Sequence, residues 1–359
     1  MSTDTTGTAM APAGRATMTP QTLRDMPESI GFPYKLMPTG WFQIAWSHQL
    51  AVGQVRPLHY FGQEIVLYRT EEGEAVTVSA YCPHLGAHLG HGGTVHGCAI
   101  KCPFHGWEWN QDGTNRLVPS DDAPSLARRV LETWPTAESN GVVWVWHDAH
   151  RRPPIWPSPA ERRHERPFLP VTDDTIYLWD KVRVRPALVT ENTVDLDHFV
   201  FVHKNRILPV VRQPTDLPEL IEDGYRFRLN RAAPLQSTVA EGVGILTVDF
   251  PPDPDRPHRM PTLLYANTTP IDDEHSDMFG TVLVEQDWAA EGAGDTVPVG
   301  NALKRVVEQK KQAGVDIPIW SNMIYLQRPA YARHEGRPFK MIRNFIAKFH
   351  PDSGVALDL

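Results

Sequence analysis

Between Trp41 and about Asp148 short apolar runs alternate with turn residues, as in "WFQIAW", "HYFGQEIVLYR", "EAVTVSAYC" and "NGVVWVWHD". This is the rhythm of short strands. In "EEGEAVTVSA" a turn at Gly73 leads into an alternating segment, Val76, Val78 and Ala80 on one face and Thr77 and Ser79 on the other, which predicts a half-buried hairpin. The stretch 147–167, "HDAHRRPPIWPSPAERRHERP", mixes charge and proline without a period and reads as a linker. Further strand-like runs follow: "TIYLWDKVRVRP", "YRFRLNRA", "GILTVDFPP", "TLLYANTTP" and "DMFGTVLVEQDW". Two helical patterns come last, "NALKRVVEQKKQAG" at 301–314 and "KMIRNFIAKFH" at 340–350. Strands followed by late helices predict an α+β second domain, a sheet folded against one or two helices.

A length of 359 residues suits two domains, and 33 prolines cut the chain into the short elements that β-rich domains use. The boundaries expected are a disordered tail over 1–20, a first domain over 21–150 and a second over 151–359. The tail, "MSTDTTGTAMAPAGRATMTP", lacks the apolar core of a signal peptide. No run approaches the roughly 20 apolar residues of a membrane span. A net charge of -8 argues against a nucleic-acid partner. Three cysteines are too few for a disulfide framework, so their clustering points to metal ligation in a reducing compartment, the cytoplasm.

All three cysteines lie in "YCPHLGAHLGHGGTVHGCAIKCPFHGWEWN", residues 81–110. Cys82-x-His84 and Cys102-x-x-His105 offer one thiolate and one imidazole from each of two loops. Zinc competes for such a set, since four nitrogen and sulfur ligands suit it. A Rieske two-iron, two-sulfur centre needs two sulfurs on one iron and two nitrogens on the other, and the mixed spacing favours it. The strings "CPH" and "CPFHGW" closely resemble the Rieske motif, which implies a 2Fe-2S cluster held by Cys82, His84, Cys102 and His105 and acting as an electron relay. Cys98 falls outside the pattern and reads as a small buried residue of the strand "GCAIK". His88, His91 and His96 read as turn or surface residues, and Trp107 and Trp109 as packing around the cluster.

A second constellation sits in "ENTVDLDHFVFVHK", residues 191–204. On a helix Glu191, Asp195 and His198 share one face, while His203 is turned away, so the helix must end, bend or bulge between the two histidines. Two imidazoles and one distant carboxylate would make the facial triad of non-haem iron oxygenases, although a purely structural cluster satisfies the same pattern. Together with the first motif, this one resembles the α-subunits of Rieske non-haem iron oxygenases. The resemblance implies that His198 and His203 ligate iron. It also implies that Asp195 accepts a hydrogen bond from His198 and from His105 of a neighbouring subunit, bridging the two centres across a trimer interface. Asp197 competes locally with Asp195 but lies on another helix face. The segment "VDIPIW" resembles the carboxylate-bearing segment of the ketosteroid 9α-hydroxylase branch, implying Asp316 as third ligand; the competing role is an N-cap before Pro318. Asn192 reads first as a structural amide, with a place near the iron as the alternative.

The fold class expected is α+β: an N-terminal all-β Rieske domain, then a catalytic domain with an antiparallel sheet and flanking helices of helix-grip type. The runs "GILTVDF", "LLYAN" and "MFGTVLV" are expected to line an apolar pocket, with core packing as the plainer reading. The resemblance implies a monooxygenase that hydroxylates a hydrophobic, steroid-like or polycyclic substrate. Its cofactors would be the Rieske 2Fe-2S cluster and a mononuclear non-haem Fe(II), with O2 as cosubstrate. Electrons would come from NAD(P)H through a separate flavin and iron-sulfur reductase, with or without a ferredoxin. The absence of G-x-G-x-x-G after a strand agrees with an external reductase. Alternatives are desaturation, demethylation or aromatic-ring oxidation by the same iron, and a Rieske electron-transfer protein without oxygenase activity.

Overall fold

The computed structural model describes residues 30–120, 130–161, 168–204, 219–230, 237–252, 260–285 and 300–357. The tail expected over 1–20 lies outside them. A small unit joins residues 30–33 to 324–330 through the Ile30–Leu326 bridge and the edge-on pair Phe32–Tyr325. The other unit, Tyr34–Met323 with Tyr331–Leu359, holds every sheet.

Its first part is all β. Strands β1 (Gly40–Trp46), β2 (Val55–Tyr60), β3 (Gln63–Arg69), β4 (Ala75–Ser79), β5 (Thr94–His96), β6 (Ala99–Lys101), β7 (Glu108–Trp109), β8 (Asn115–Leu117), β9 (Thr133–Trp134), β10 (Thr136–Ser139) and β11 (Val142–His147) form three antiparallel sheets. One has the order β2-β3-β4-β9, another β5-β6-β7-β8, and a third β1-β11-β10. The predicted hairpin is β3-β4, with Ile65 opposite Ser79 and Arg69 opposite Ala75. Its apolar face is buried as the alternation requires, but Thr77 on the opposite face is fully buried too. The sheet is therefore covered on both sides there, which the alternation alone does not reveal.

The second part is a seven-stranded antiparallel sheet with helices. It contains β12 (Ile176–Val182), β13 (Glu219–Asp223), β14 (Arg226–Asn230), β15 (Ser237–Glu241), β16 (Ile245–Phe250), β17 (Thr262–Pro270) and β18 (Ser276–Val284), in the order β12-β18-β17-β16-β15-β14-β13. The helices are α1 (Pro186–Glu191), α2 (Asp197–Phe201), α3 (Gly300–Gly314), α4 (Ile317–Trp320) and α5 (Gly336–Lys348). Helices α3 and α5 are the two helical patterns of the sequence, the second beginning four residues earlier than its apolar period. The α+β architecture expected is the one observed. The runs expected to line a pocket supply Val248, Leu264 and Val282, which pack with Ala302 and Val306 of α3 into one apolar cluster.

Strand β1 belongs to the second part as much as to the first. Trp46 Nε1 donates to Thr281 Oγ1 at 3.0 Å, Asn267 Nδ2 donates to Gln43 Oε1 at 2.8 Å, and the Gln43 carbonyl accepts from Thr269 Oγ1. Nor does the expected linker hang free. Residues 149–161 carry no regular element, yet Trp156 is 5% exposed, edge-on to Trp146 and Phe349 and stacked on Tyr225. One aromatic of that size, worth roughly 2–3 kcal/mol on burial, overrides the surrounding charge and proline. Residues 162–167 of that stretch lie outside the described residues.

Two buried histidines give the fold a pH dependence. His147 donates from Nδ1 to the Pro38 carbonyl and His350 from Nδ1 to that of Leu36; burial holds each imidazole neutral, its pKa lowered from 6.5 to about 4. The unfolded chain takes up these protons more readily. Their contribution is therefore complete above pH 6.5 and is lost as pH falls towards 4, by roughly 3 kcal/mol per group. Thermal unfolding followed from pH 7 to 4.5 is expected to show a falling midpoint; a flat profile would contradict this assignment.

Candidate metal centres

The first centre is built from two loops of the same design. In the loop after β4 the Cys82 N–H donates to the Ala87 carbonyl and the Cys82 carbonyl accepts from Gly86; in the loop after β6 the Cys102 N–H donates to the Trp107 carbonyl and the Cys102 carbonyl accepts from Gly106. Gly86 at φ +78° and Gly106 at φ +70° occupy the left-handed position four residues after each cysteine. A side chain there is strained, so glycine closes both loops. The two thiols are buried at 2% and 3% exposure and face one another, while His84 is half-buried and His105 exposed. Burial first, and then the neighbouring Cys102, push the Cys82 thiol up, while the His84 backbone and the Trp109 indole N–H favour its thiolate.

The imidazoles of His84 and His105 lie with centroids 4.7 Å apart, and the His84 ring stacks on Trp107 at 4.1 Å. The four donors share no common point: among the described residues, the groups whose donor atoms all fall within 4.8 Å of one another exclude them. A single zinc ion needs such convergence, whereas a two-iron cluster takes the sulfurs on one metal and the nitrogens on the other. The donor set therefore fits the dinuclear group better. Trp107 and Trp109, 8% and 0% exposed, pack with both cysteines in one core, as expected. Cys98 is placed differently: it is half-buried in the turn between β5 and β6, outside any strand, and its carbonyl accepts from Tyr68. The turn at Gly97, φ +61°, takes it out of the ladder. His88 forms an isolated bridge with Tyr81 and accepts from the Gly90 N–H, His91 lies in a turn, and His96 ends β5 and pairs with Glu108 at 2.7 Å.

The second centre lies on α1, α2 and the turn between them. The sequence expectation of one helix carrying Glu191, Asp195 and His198 is corrected here. Helix α1, opened by Pro186, ends at Glu191, and the chain turns through Asn192–Val194 before α2 begins. Asn192 and Thr193 favour such a break, and Asp195 restarts the helix by accepting the His198 backbone N–H at 3.2 Å, as a capping carboxylate does. Glu191 points elsewhere, to Arg343 of α5 at 3.0 Å. The interruption expected between the histidines is present: the His198 carbonyl accepts from both Val202 and His203, the latter a five-residue closure that ends α2.

This turn brings the His198 and His203 rings to 5.1 Å. Asp316, at the head of α4, makes no capping bond; its carboxylate instead lies 3.2 Å from His203 Nε2. His198, His203 and Asp316 bring their ligand atoms within 4.8 Å of one another in a nearly buried setting. The tautomers suit a cation. His203 Nδ1 donates to Gln312 Oε1 of α3 at 3.1 Å, and His198 Nδ1 donates to the Asp195 backbone carbonyl. With each Nδ1 so engaged, Nε2 is the ring nitrogen turned towards the centre of the site, where it meets Asn192 Nδ2 at His198 and Asp316 Oδ2 at His203. Burial lowers the His198 pKa; at His203 burial acts in the same sense, but the Asp316 carboxylate and Gln312 outweigh it and raise the value.

Two expectations change in detail. Asp195 accepts the His198 imidazole through its backbone carbonyl, and its carboxylate stays 3.8 Å from Nδ1 because it is occupied by the helix amide. Asn192 Nδ2 lies 3.1 Å from His198 Nε2, so the amide stands beside the ligand atoms. Asp197 turns away, as expected, and meets His334 Nε2 at 3.2 Å; with Glu335 they form a second, half-buried convergent group. Gln312, His334 and Glu335 were not singled out from the sequence. No local pattern pointed to Gln312, since its helix ends at Gly314 and Asp316 heads the next one.

Two family models match the chain. Residues 40–135 match the Rieske [2Fe-2S] domain, and residues 145–350 match the 3-ketosteroid 9α-hydroxylase C-terminal domain. Among curated proteins, cholesterol 7-desaturase of Bombyx mori is 38% identical over 199 residues, covering 54% of this chain and 41% of that protein. The probable 3-ketosteroid-9-alpha-monooxygenase oxygenase component of Rhodococcus rhodochrous is 34% identical over 181 residues, covering 48% and 43%. The matches therefore span about two fifths of the length of these relatives. Among solved structures, NdmA of Pseudomonas putida CBB5 superposes with a TM-score of 0.63 at 17% identity, covering 86% of this chain and 89% of that one. Apo dicamba monooxygenase gives 0.61 at 15%, covering 88% and 97%. At such identities the likeness speaks for the fold.

Proposed function

Since this chain belongs to the Rieske oxygenases that carry the 3-ketosteroid 9α-hydroxylase C-terminal domain, we propose that it is the oxygenase component of a system that oxidises a hydrophobic, steroid-like substrate. The observation that carries this reading is the convergence of His198, His203 and Asp316 on one buried point, in a chain that also holds the paired Cys-His loops. In it, Cys82, His84, Cys102 and His105 hold the 2Fe-2S cluster, and His198, His203 and Asp316 hold a mononuclear Fe(II). A bound iron of this kind supplies dioxygen activation, with O2 as cosubstrate. The residues' own work is to present two neutral imidazoles and one carboxylate and to leave the remaining positions open. Gln312 and the Asp195 carbonyl fix the ring orientations, and Asn192 contributes an amide donor beside His198.

Hydroxylation is the first reading of the reaction, with a monooxygenase component among the relatives. Desaturation is the second, favoured by the relatives named cholesterol 7-desaturase. A single turnover of the reduced protein with a 3-ketosteroid panel separates them: gain of one oxygen marks a hydroxylase, loss of two hydrogens a desaturase. No product from a protein whose cluster still reoxidises would refute the steroid reading.

The electrons are proposed to come from NAD(P)H through a separate flavin and iron-sulfur reductase. A homotrimer is proposed as the assembly, with Asp195 linking one subunit's His198 to the next subunit's His105. Exposed apolar side chains beside both centres support it: Leu85 at 66% and Phe104 at 63% by the cluster loops, and Phe201 at 73% on α2. A cytoplasmic setting is proposed, where the reducing environment would keep Cys82 and Cys102 available to the cluster. Among the described residues no helix is long and apolar enough to cross a membrane.

Gln312 offers a test of the iron site that spares its ligands. Gln312→Leu removes the acceptor of His203 Nδ1, and Fe(II) affinity is expected to weaken by about 10–100-fold, as for other partners of metal-bound histidines. Titration of iron-depleted protein measures it. An unchanged affinity would exclude His203 as a ligand oriented through Nδ1.

A further inference from the structure

Two buried hydroxyls on the helix-covered face of the seven-stranded sheet lack a bond. Tyr177 is 3% exposed and Thr268 1%, and neither Tyr177 Oη nor Thr268 Oγ1 has a hydrogen-bond partner among the described residues. A buried hydroxyl left unbonded is costly, so it marks a place where something else completes the bond.

Their placement follows from the register. Trp179, Met278 and Thr268 are paired across β12, β18 and β17, and Tyr177, Gly280 and Ala266 make the next row. Directly paired residues share a face, and the Tyr177 and Trp179 rings lie 4.5 Å apart on it. Tyr177 lies flat across β18: a Cβ on Gly280 would come within 1.9 Å of its Cζ, the carbon that bears the hydroxyl. Only glycine leaves that room. The hydroxyl is thereby carried past the edge strand towards the middle of the sheet, where Thr268 stands one row away.

The same face leads to the proposed iron site. Trp179 and Met278 pack with Ile317 and Trp320 of α4, whose first turn Asp316 heads. Trp179 also closes on Gly314, two residues before Asp316. Between the metal ligands and the two hydroxyls this face of the sheet carries the apolar side chains of Trp179 and Met278.

We propose that Tyr177 and Thr268 form the polar end of the substrate site and select an apolar ring system bearing one neutral oxygen, a ketone or a hydroxyl, over the bare hydrocarbon. A ketone oxygen accepts from both side chains; a substrate hydroxyl accepts from one and donates to the other. Neither residue carries charge, which suits a neutral oxygen and not an anion. This inference rests on the oxygenase reading above and adds the chemistry of the substrate's far end.

The test uses the holoprotein in single turnover, with a 3-ketosteroid and its analogue in which the carbonyl is reduced to CH2. The wild type is expected to favour the ketone by about tenfold or more in half-saturating concentration, the worth of a hydrogen bond gained by buried groups. Tyr177→Phe and Thr268→Val are each expected to erase most of that preference. Iron content should stay the same, and the melting temperature should stay the same or rise, since no bond within the fold is lost. A preference that survives both substitutions, or a clear fall in melting temperature in both, overturns the hydroxyl assignment while leaving the oxygenase standing. If the wild type transforms neither compound, the steroid reading itself fails, and this inference with it.

Discussion

Asp316→Ala is expected to lower single-turnover product yield on the order of a thousandfold, while the 2Fe-2S absorption stays intact. Iron should fall from about three to about two per chain, since the cluster accounts for two. The reason is charge and count. Asp316 is the only carboxylate in the buried group with His198 and His203, and two neutral imidazoles alone neither balance nor hold a ferrous ion well. Asp316 is 7% exposed, and its carboxylate makes no capping bond, so its removal spares the start of α4. Asp316→Glu keeps the charge and should retain part of the iron. Unchanged iron and yield in the alanine variant would exclude Asp316 and direct attention to the Asp197, His334 and Glu335 group.

Cys102→Ser is the second large effect. The visible absorption of the cluster is expected to vanish and product formation with it, because electrons then have no relay. Stability should fall as well. Cys82 and Cys102 sit in one core with Trp107, Trp109, Val78 and Ile100, so a cluster held by them would staple the end of that core. Loss of a structural metal group of this kind should lower the melting temperature on the order of 10 °C. Cys98→Ser is the control: Cys98 lies half-buried in a turn and only its carbonyl is engaged, so absorption and melting should both be unchanged. Retention of the cluster in the Cys102 variant would refute the ligand set.

The cluster loops were legible because everything they need is local. Cysteine, proline, histidine and glycine at fixed short separations close each loop through its own backbone bonds, so the spacing carries the geometry. The pair His198 and His203 was legible for the same reason, down to the break between them. The segment before them was misread as continuous helix because apolar spacing reports which residues face inward and says nothing of a turn enforced by the Asp195 carboxylate. The linker was legible as a stretch without regular structure over 149–161, but composition averages over residues and hid the one buried Trp156 that decides its path.

By itself the sequence determined the β-then-α+β order, the two late helices, the two matching Cys-His loops and two histidines beside a carboxylate. These are properties of neighbours along the chain, governed by period, turn chemistry and ligand spacing. Asp316 was reached only through the resemblance carried by "VDIPIW", and tertiary structure alone brought it to His203 together with Gln312, since contacts across more than a hundred residues leave no local pattern. Tertiary structure also decided that β1 seals the second sheet, and that the hydroxyls of Tyr177 and Thr268 are buried without a bond. Such facts depend on which faces meet, and a face acquires its partner only when the whole chain has packed.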